Sequence, residues 1–261
     1  MINEIITYLK SNLWAKKEAR VFGHIYEAIS LIEREKRCHH HWLSHRNHCK
    51  NFILDNLYLA KKKDSLLILG SGPLHEIPLE KLAKIFTRID LIDIVHLKTI
   101  TAQYSHLKNV FFIEADITEL EADLISGKKI KNKLPTRFIN NGHDLVISAN
   151  LLSQLAYHLR NYLEKKASPK LSTDELDNFA NQVSLNHYLY LKSFSCPIIL
   201  MTDVLSLFLN KNEDIIFQET PYIDFDLPKA TSEWWWDVAP LPEYSKDLSL
   251  KMKVAGFILN E

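Results

Sequence analysis

Glycine is scarce in this chain of 261 residues, which has only 6. Glycine supplies the left-handed backbone of tight turns, so this small supply excludes a glycine-rich or low-complexity architecture, and each glycine marks a position where few other residues serve. Cysteine is scarcer, with 3 widely spaced residues. An odd, scattered set excludes a disulfide framework and points to a reducing compartment. An excess of either charge is also missing, because 32 Lys and Arg balance 32 Asp and Glu. A protein that tracks phosphates usually carries a basic excess, so nucleic acid is not expected as a partner. The clusters Lys61-Lys62-Lys63, Lys128-Lys129 and Lys165-Lys166 lack interleaved aromatics and read as solvated boundaries. Long apolar runs are absent too. Cys196 to Met201 is far shorter than the roughly 20 residues of a membrane-spanning helix, and the N-terminus lacks the residue order of a signal peptide. A soluble, cytoplasmic protein without a membrane partner is expected.

The residues present fall into two regions. Ile2, Ile5, Ile6, Leu9 and Leu13, then Val21, Phe22, Ile25, Tyr26, Ile29 and Ile32, recur at helical spacing, and a third helical stretch runs from Trp42 to Leu59. Residues 1–62 therefore read as a helical cap. From 63 to 261 the pattern alternates. Short apolar runs at Leu66 to Leu69, Ile89 to Val95, Val110 to Ile113, Leu145 to Ile147 and Cys196 to Met201 are mostly separated by segments able to form helices. This alternation implies crossover connections and a parallel sheet. Helical spacing at Leu79, Leu82, Ala83 and Phe86 follows the first run, and Ser172 and Glu175 have capping-box spacing before a long helix. Ile215 to Gln218 and Met252 to Leu259 are expected to complete the sheet, joined by an aromatic and proline-rich loop containing Trp234, Trp235 and Trp236.

Gly70-Ser71-Gly72 ends the first run, and two glycines there allow a sharp bend and the approach of a ligand to the main chain. A dinucleotide fingerprint would place a further glycine at His75, so a nicotinamide cofactor is disfavoured. Asp93 lies 21 residues after Gly72 near the end of the second run, where an acid can accept both hydroxyls of a ribose. At the end of the third run, Asp116 is offered to an exocyclic amine and Ile117 as an apolar wall. Their plainer alternatives are a ligand-free turn, a helix cap at Asp93 and a turn organised by Asp116.

With Gly70-Ser71-Gly72, Leu91-Ile92-Asp93-Ile94, Ala115-Asp116-Ile117 and Asp144 to Leu152, the chain from about 65 to 260 resembles the class I S-adenosylmethionine-dependent methyltransferases. The resemblance implies an α/β fold: a Rossmann-like, doubly wound, mostly parallel sheet of about seven strands with an N-terminal helical extension. It implies S-adenosylmethionine as cofactor, bound by Gly70, Ser71, Gly72, Asp93, Ile94, Asp116 and Ile117, with Ser148, Ala149 and Asn150 facing the sulfonium and the methyl acceptor. Two departures stand out: Leu74 replaces a frequent third glycine, and Ile68 replaces a frequent acid two residues before the turn. Other groups must then hold the amino-acid end of the cofactor. The implied activity is methyl transfer to a small-molecule or protein acceptor, and the alternative is a methyltransferase-like binding protein without catalysis. The signatures of nucleobase methylation are absent, and His45, His96 and His143 are candidate bases.

Five of the 12 histidines lie between His39 and His48. His41 and His45, or Cys38 and His41, share a helical face and could pair on zinc, but one straight helix cannot converge four ligands on an ion and no metal is expected. The functional expectation is that this helix covers the cleft, with Trp42, His45 or Arg46 shaping an acceptor pocket. The loop of Trp234 to Trp236 would roof it. The plain alternatives are a solvated face and tryptophans used only for packing.

Overall fold

The structure, a computed structural model, describes residues 15–128 and 133–260. The helix expected over 2–13 lies outside them. Three N-terminal helices come first: α1 (Lys17–Val21), α2 (His24–Arg37) and α3 (His39–Asp55). Then follow β1 (Ser65–Leu69), α4 (Leu79–Leu82), β2 (Arg88–Asp93), α5 (Lys98–Gln103), β3 (Val110–Glu114), α6 (Glu121–Ile125) and β4 (Leu145–Ala149). The chain ends with α7 (Leu155–Lys166), α8 (Thr173–Lys192), β5 (Ile198–Leu209), β6 (Ile215–Glu219), β7 (Ser232–Ala239) and β8 (Ser249–Leu259).

The sheet runs β3-β2-β1-β4-β5-β8-β7. The first five strands of that order are mutually parallel, and β8 and β7 are antiparallel to their neighbours. This is the doubly wound, mostly parallel sheet expected, with eight strands in place of about seven. One strand is added and another is placed differently. The tryptophan segment is strand β7, not a loop, with Trp234 and Trp236 buried and Trp235 exposed, as the two-residue pleat requires. Strand β6 does not complete the main sheet. It pairs only with the far end of β5, which at 12 residues projects beyond its neighbour β4.

Alternation along the central strands divides the core. Leu66 and Ile68 of β1 pack with Ile25, Ile29, Trp42, Phe52 and Ile53 of the N-terminal helices, whereas Leu67 and Leu69 pack with Tyr190 and Leu191 of α8. Helices thus cover both faces, which is why these strands are buried on both sides. The capping box that starts α8 forms, since the Glu175 N–H donates to Ser172 Oγ at 3.2 Å and the Ser172 N–H donates to Glu175 Oε2 at 2.8 Å. Gly256 of β8 admits α3 to the sheet, because a Cβ there would stand 2.6 Å from the Phe52 ring. The expected helix after β1 shrinks to the four residues of α4. It starts after Pro78 and gives way to turns over residues 83–85, yet the apolar spacing still buries Leu79, Leu82 and Phe86.

Candidate functional site

Strand order reverses between β1 and β4, which opens a crevice at the carboxyl ends of the parallel strands. The turn after β1 lies there. Gly70 (φ 73°) has no room for a side chain, since a Cβ would approach the Ala149 carbonyl oxygen to 2.9 Å. Gly72 (φ 49°) faces open space, so its main chain borders the cleft uncovered. Leu74 takes the same left-handed region at the position where the resemblance expects glycine, a strain on the order of 1 kcal/mol for a side-chain-bearing residue. The backbone shape associated with that glycine is therefore present without it.

Asp93 ends β2 and secures the turn. The Gly72 N–H donates to Asp93 Oδ2 at 2.7 Å and the Ile94 N–H to Oδ1 at 2.7 Å. A carboxylate offers about four acceptor positions, so this one retains capacity for two ribose hydroxyls. Asp93 is not a helix cap, because the residue preceding α5 is Leu97.

Asp116 behaves otherwise. Its Oδ1 accepts from the Thr118 N–H and hydroxyl, and its Oδ2 from the Leu120 and Glu121 N–H groups, at 2.6–3.0 Å. Four donors use its acceptor capacity, so the expected contact with an exocyclic amine is corrected to the building of the loop that leads into α6. Asp116 and Ile117 still line the cleft, as does Ile94. Ser148 is corrected too. It shares the pleat face of Val146, so it turns from the cleft toward α8, where its hydroxyl lies 3.1 Å from His187 Nε2. Ala149 and Asn150 do reach the cleft.

The cleft encloses about 760 Å³, ample for a nucleoside-sized ligand and a second small molecule. One wall is α2, which contributes Ala28, Leu31 and Ile32. A hydrogen bond of 2.5 Å between His24 Nε2 and Glu121 Oε1 fastens α2 to α6 across the rim. The histidine-rich helix α3 supplies only Trp42 to the lining, and β7 supplies Trp236. Arg46 is turned away and paired with Glu35, and Trp235 is solvent-exposed.

His45 is fully buried behind the wall, stacked on Trp236 with ring centroids 4.1 Å apart. The Trp234 indole N–H donates to His45 Nδ1 at 3.0 Å, and His45 Nε2 donates to Glu76 Oε1 at 3.1 Å. The second oxygen of Glu76 accepts from Asn150 Nδ2 at 3.1 Å. Burial raises the Glu76 carboxyl, but the hydrogen bonds of His45 and Asn150 outweigh it and hold the group below the usual carboxylate value. Glu76 lines the cleft, although it carries no signal in the sequence, being one acid in a loop.

Asp203 is the other acid that only the structure reveals. It stands on β5 just past the end of β4, beside a bulge in the pairing with β8. Bulges re-aim side chains in this way next to binding sites. Burial raises its carboxyl above the usual value, against a hydrogen bond of 2.5 Å from the Ser153 hydroxyl to Oδ1.

The remaining candidate bases stand elsewhere. His143 lies at the amino edge of the sheet with Ser65 Oγ 2.8 Å from its Nδ1, and His96 Nε2 donates to the Leu91 carbonyl at 3.2 Å. Neither lines the cleft. His41 is exposed while His45 is buried, and among the described residues no group of three or more His, Cys, Asp or Glu could hold a metal ion. Cys38, Cys49 and Cys196 are free and buried. No described helix is long and apolar enough to cross a membrane.

Fold and site define a Rossmann-like α/β protein with a cleft at its topological switch point. No family model matches the chain and no curated protein matches it. Among solved structures it is similar to DhpI in complex with S-adenosylhomocysteine, at 13% identity and a TM-score of 0.39 over 87% of this chain and 92% of that one. It is similar also to the N-methyltransferase NodS from Bradyrhizobium japonicum, at 11% identity and 0.37 over 80% and 85% of the two chains. A third is an S-adenosylmethionine-dependent methyltransferase from Clostridium acetobutylicum, at 11% and 0.36 over 79% and 89%.

Proposed function

We propose that the chain is an S-adenosylmethionine-dependent methyltransferase acting in the cytoplasm on a small-molecule or protein acceptor. The observation that carries this reading is the bond from the Gly72 N–H to Asp93, which joins an uncovered glycine turn to a carboxylate with spare acceptor capacity at the point where strand order reverses. The donor set fits the cofactor. Ser71 Oγ and Asn150 Oδ1, both at this cleft, are buried without a hydrogen-bond partner among the described residues, as polar groups that await a ligand are.

In this reading Asp93 holds the ribose hydroxyls, Ile94 and Ile117 flank the adenine, and the main chain of Gly70 to Gly72 admits the nucleoside. When bound, the cofactor supplies an electrophilic methyl group on sulfur. The protein aligns the acceptor with it and excludes water, a task that α2, Trp42 and Trp236 serve by closing the cleft. Asp203 takes the proton that the acceptor loses, since a carboxyl raised by burial is a better base near neutral pH than an exposed one.

Calorimetric titration with S-adenosylmethionine and S-adenosylhomocysteine tests the reading. Saturable binding of both supports it, and no binding by the folded protein overturns it. Binding without release of S-adenosylhomocysteine in the presence of any acceptor favours the alternative of a non-catalytic binding protein.

A further inference from the structure

We infer that Glu76 is the anchor for the α-ammonium of S-adenosylmethionine, standing in for the acid that the chain lacks two residues before its glycine turn. The inference rests on the methyltransferase reading. The residue at the vacant position is Ile68, fully buried among the N-terminal helices and without a polar atom to offer. Glu76 follows on the same turn, lines the same cleft and keeps 20% of its side chain exposed.

Its partners leave it negative. Among the described residues no Lys or Arg forms an ion pair with Glu76, whose two oxygens accept from His45 and Asn150. Trp234 fixes the His45 ring: its N–H occupies Nδ1, so the hydrogen lies on Nε2, where Glu76 receives it. The carboxylate is thus kept ionised at the cleft by His45 and Asn150, with no Lys or Arg ion pair among the described residues, and offers its charge to a cation that enters there.

Asn150 shows where the cation belongs. Its Nδ2 is committed to Glu76, which leaves Oδ1 as an acceptor, and that atom is buried with no hydrogen-bond partner among the described residues. The carboxylate of Glu76 and the amide oxygen of Asn150 therefore stand beside each other as acceptors for an ammonium with three donors. The adenosine and the sulfur of the cofactor carry no such group, but its amino-acid arm does. The N-terminal helix α3, through His45, and strand β7, through Trp234, are thereby parts of the cofactor site.

Two ligands separate this role from a structural one. S-Adenosylhomocysteine has the amino-acid arm, and 5′-methylthioadenosine has the same nucleoside and a sulfur without it. Calorimetry on the full chain is expected to show Glu76→Gln weakening S-adenosylhomocysteine by about tenfold or more while 5′-methylthioadenosine changes by less than about twofold, the loss of one charged hydrogen-bonded contact. Trp234→Phe, which removes the N–H that orients His45 together with part of the buried ring, is expected to give a smaller loss also confined to S-adenosylhomocysteine. It carries the test should Glu76→Gln fail to fold. Equal losses for both ligands, or no loss for either, overturn the assignment while the wild-type affinities leave the methyltransferase reading standing. A wild-type protein that binds neither ligand overturns both.

Discussion

The imidazole of His45 lies flat against the indole of Trp236, with ring centroids 4.1 Å apart and planes 7° from parallel. Trp42 meets the same indole edge-on at 4.9 Å and 79°. The histidine-rich helix and the triple-tryptophan strand, distant in sequence, are thus one packed unit. It forms the floor beneath Glu76 and part of the wall of the cleft.

Trp236→Ala should therefore destabilise the protein by about 3–5 kcal/mol, the range for loss of a buried indole. Urea denaturation measures it. A change under about 1 kcal/mol would mean that the aromatic unit does not hold α3 to the sheet.

Asp93→Ala is expected to weaken S-adenosylmethionine by about 1.5–3 kcal/mol, since it removes charged acceptors for the ribose. Because the ribose is common to both ligands, 5′-methylthioadenosine should lose as much as S-adenosylhomocysteine, the opposite of the Glu76→Gln pattern. Unchanged affinity in calorimetry would show that another group holds the ribose.

Asp203→Asn is expected to lower the rate of methyl transfer by about 10²–10⁴-fold, the usual contribution of a positioned base, with little effect on S-adenosylhomocysteine binding. The wild-type rate should decline as pH falls through the raised carboxyl pKa, because only the ionised form accepts a proton. An acid limb in the pH profile that survives unchanged in the variant would remove Asp203 from the proton transfer.

Stability should fall on acidification from below about pH 6.5, and two desolvated histidines contribute, the buried His187 and the partly buried His158. Burial pushes His187 down to about 3, and burial together with the neighbouring His24 pushes His158 down to about 4, from an ordinary value of 6.5. Between these limits the unfolded chain binds protons that the folded chain refuses, so stability rises with pH there. The contribution is complete above 6.5 and is lost as pH falls toward the depressed values. Each histidine adds up to about 1.4 kcal/mol per pH unit to the slope. Urea midpoints of His187→Asn measured between pH 4 and 7 should show that share of the slope removed, and an unaltered slope would contradict the burial of a neutral imidazole at this site.

The sequence by itself determined the central sheet. Continuous apolar runs ending at Gly70 and Asp93 can be buried on both faces only as parallel strands between helix layers, and the capping box at Ser172 and Glu175 set the start of the longest helix. The glycine turn and Asp93 were legible for the same reason: their chemistry follows from local spacing along one strand and its turn. Strand β7 was not legible, because three identical indoles in a row show no alternation until a sheet exists to bury the first and third and expose the second. Ser148 and Asn150 look equivalent in sequence, and the pleat alone sends the first to His187 while the second, beyond the strand end, reaches the cleft. Glu76 and Asp203 owe their significance wholly to tertiary structure. A carboxylate becomes a binding or basic group through the partners and burial around it, and His45, Asn150 and Ser153 come to these two from distant parts of the chain.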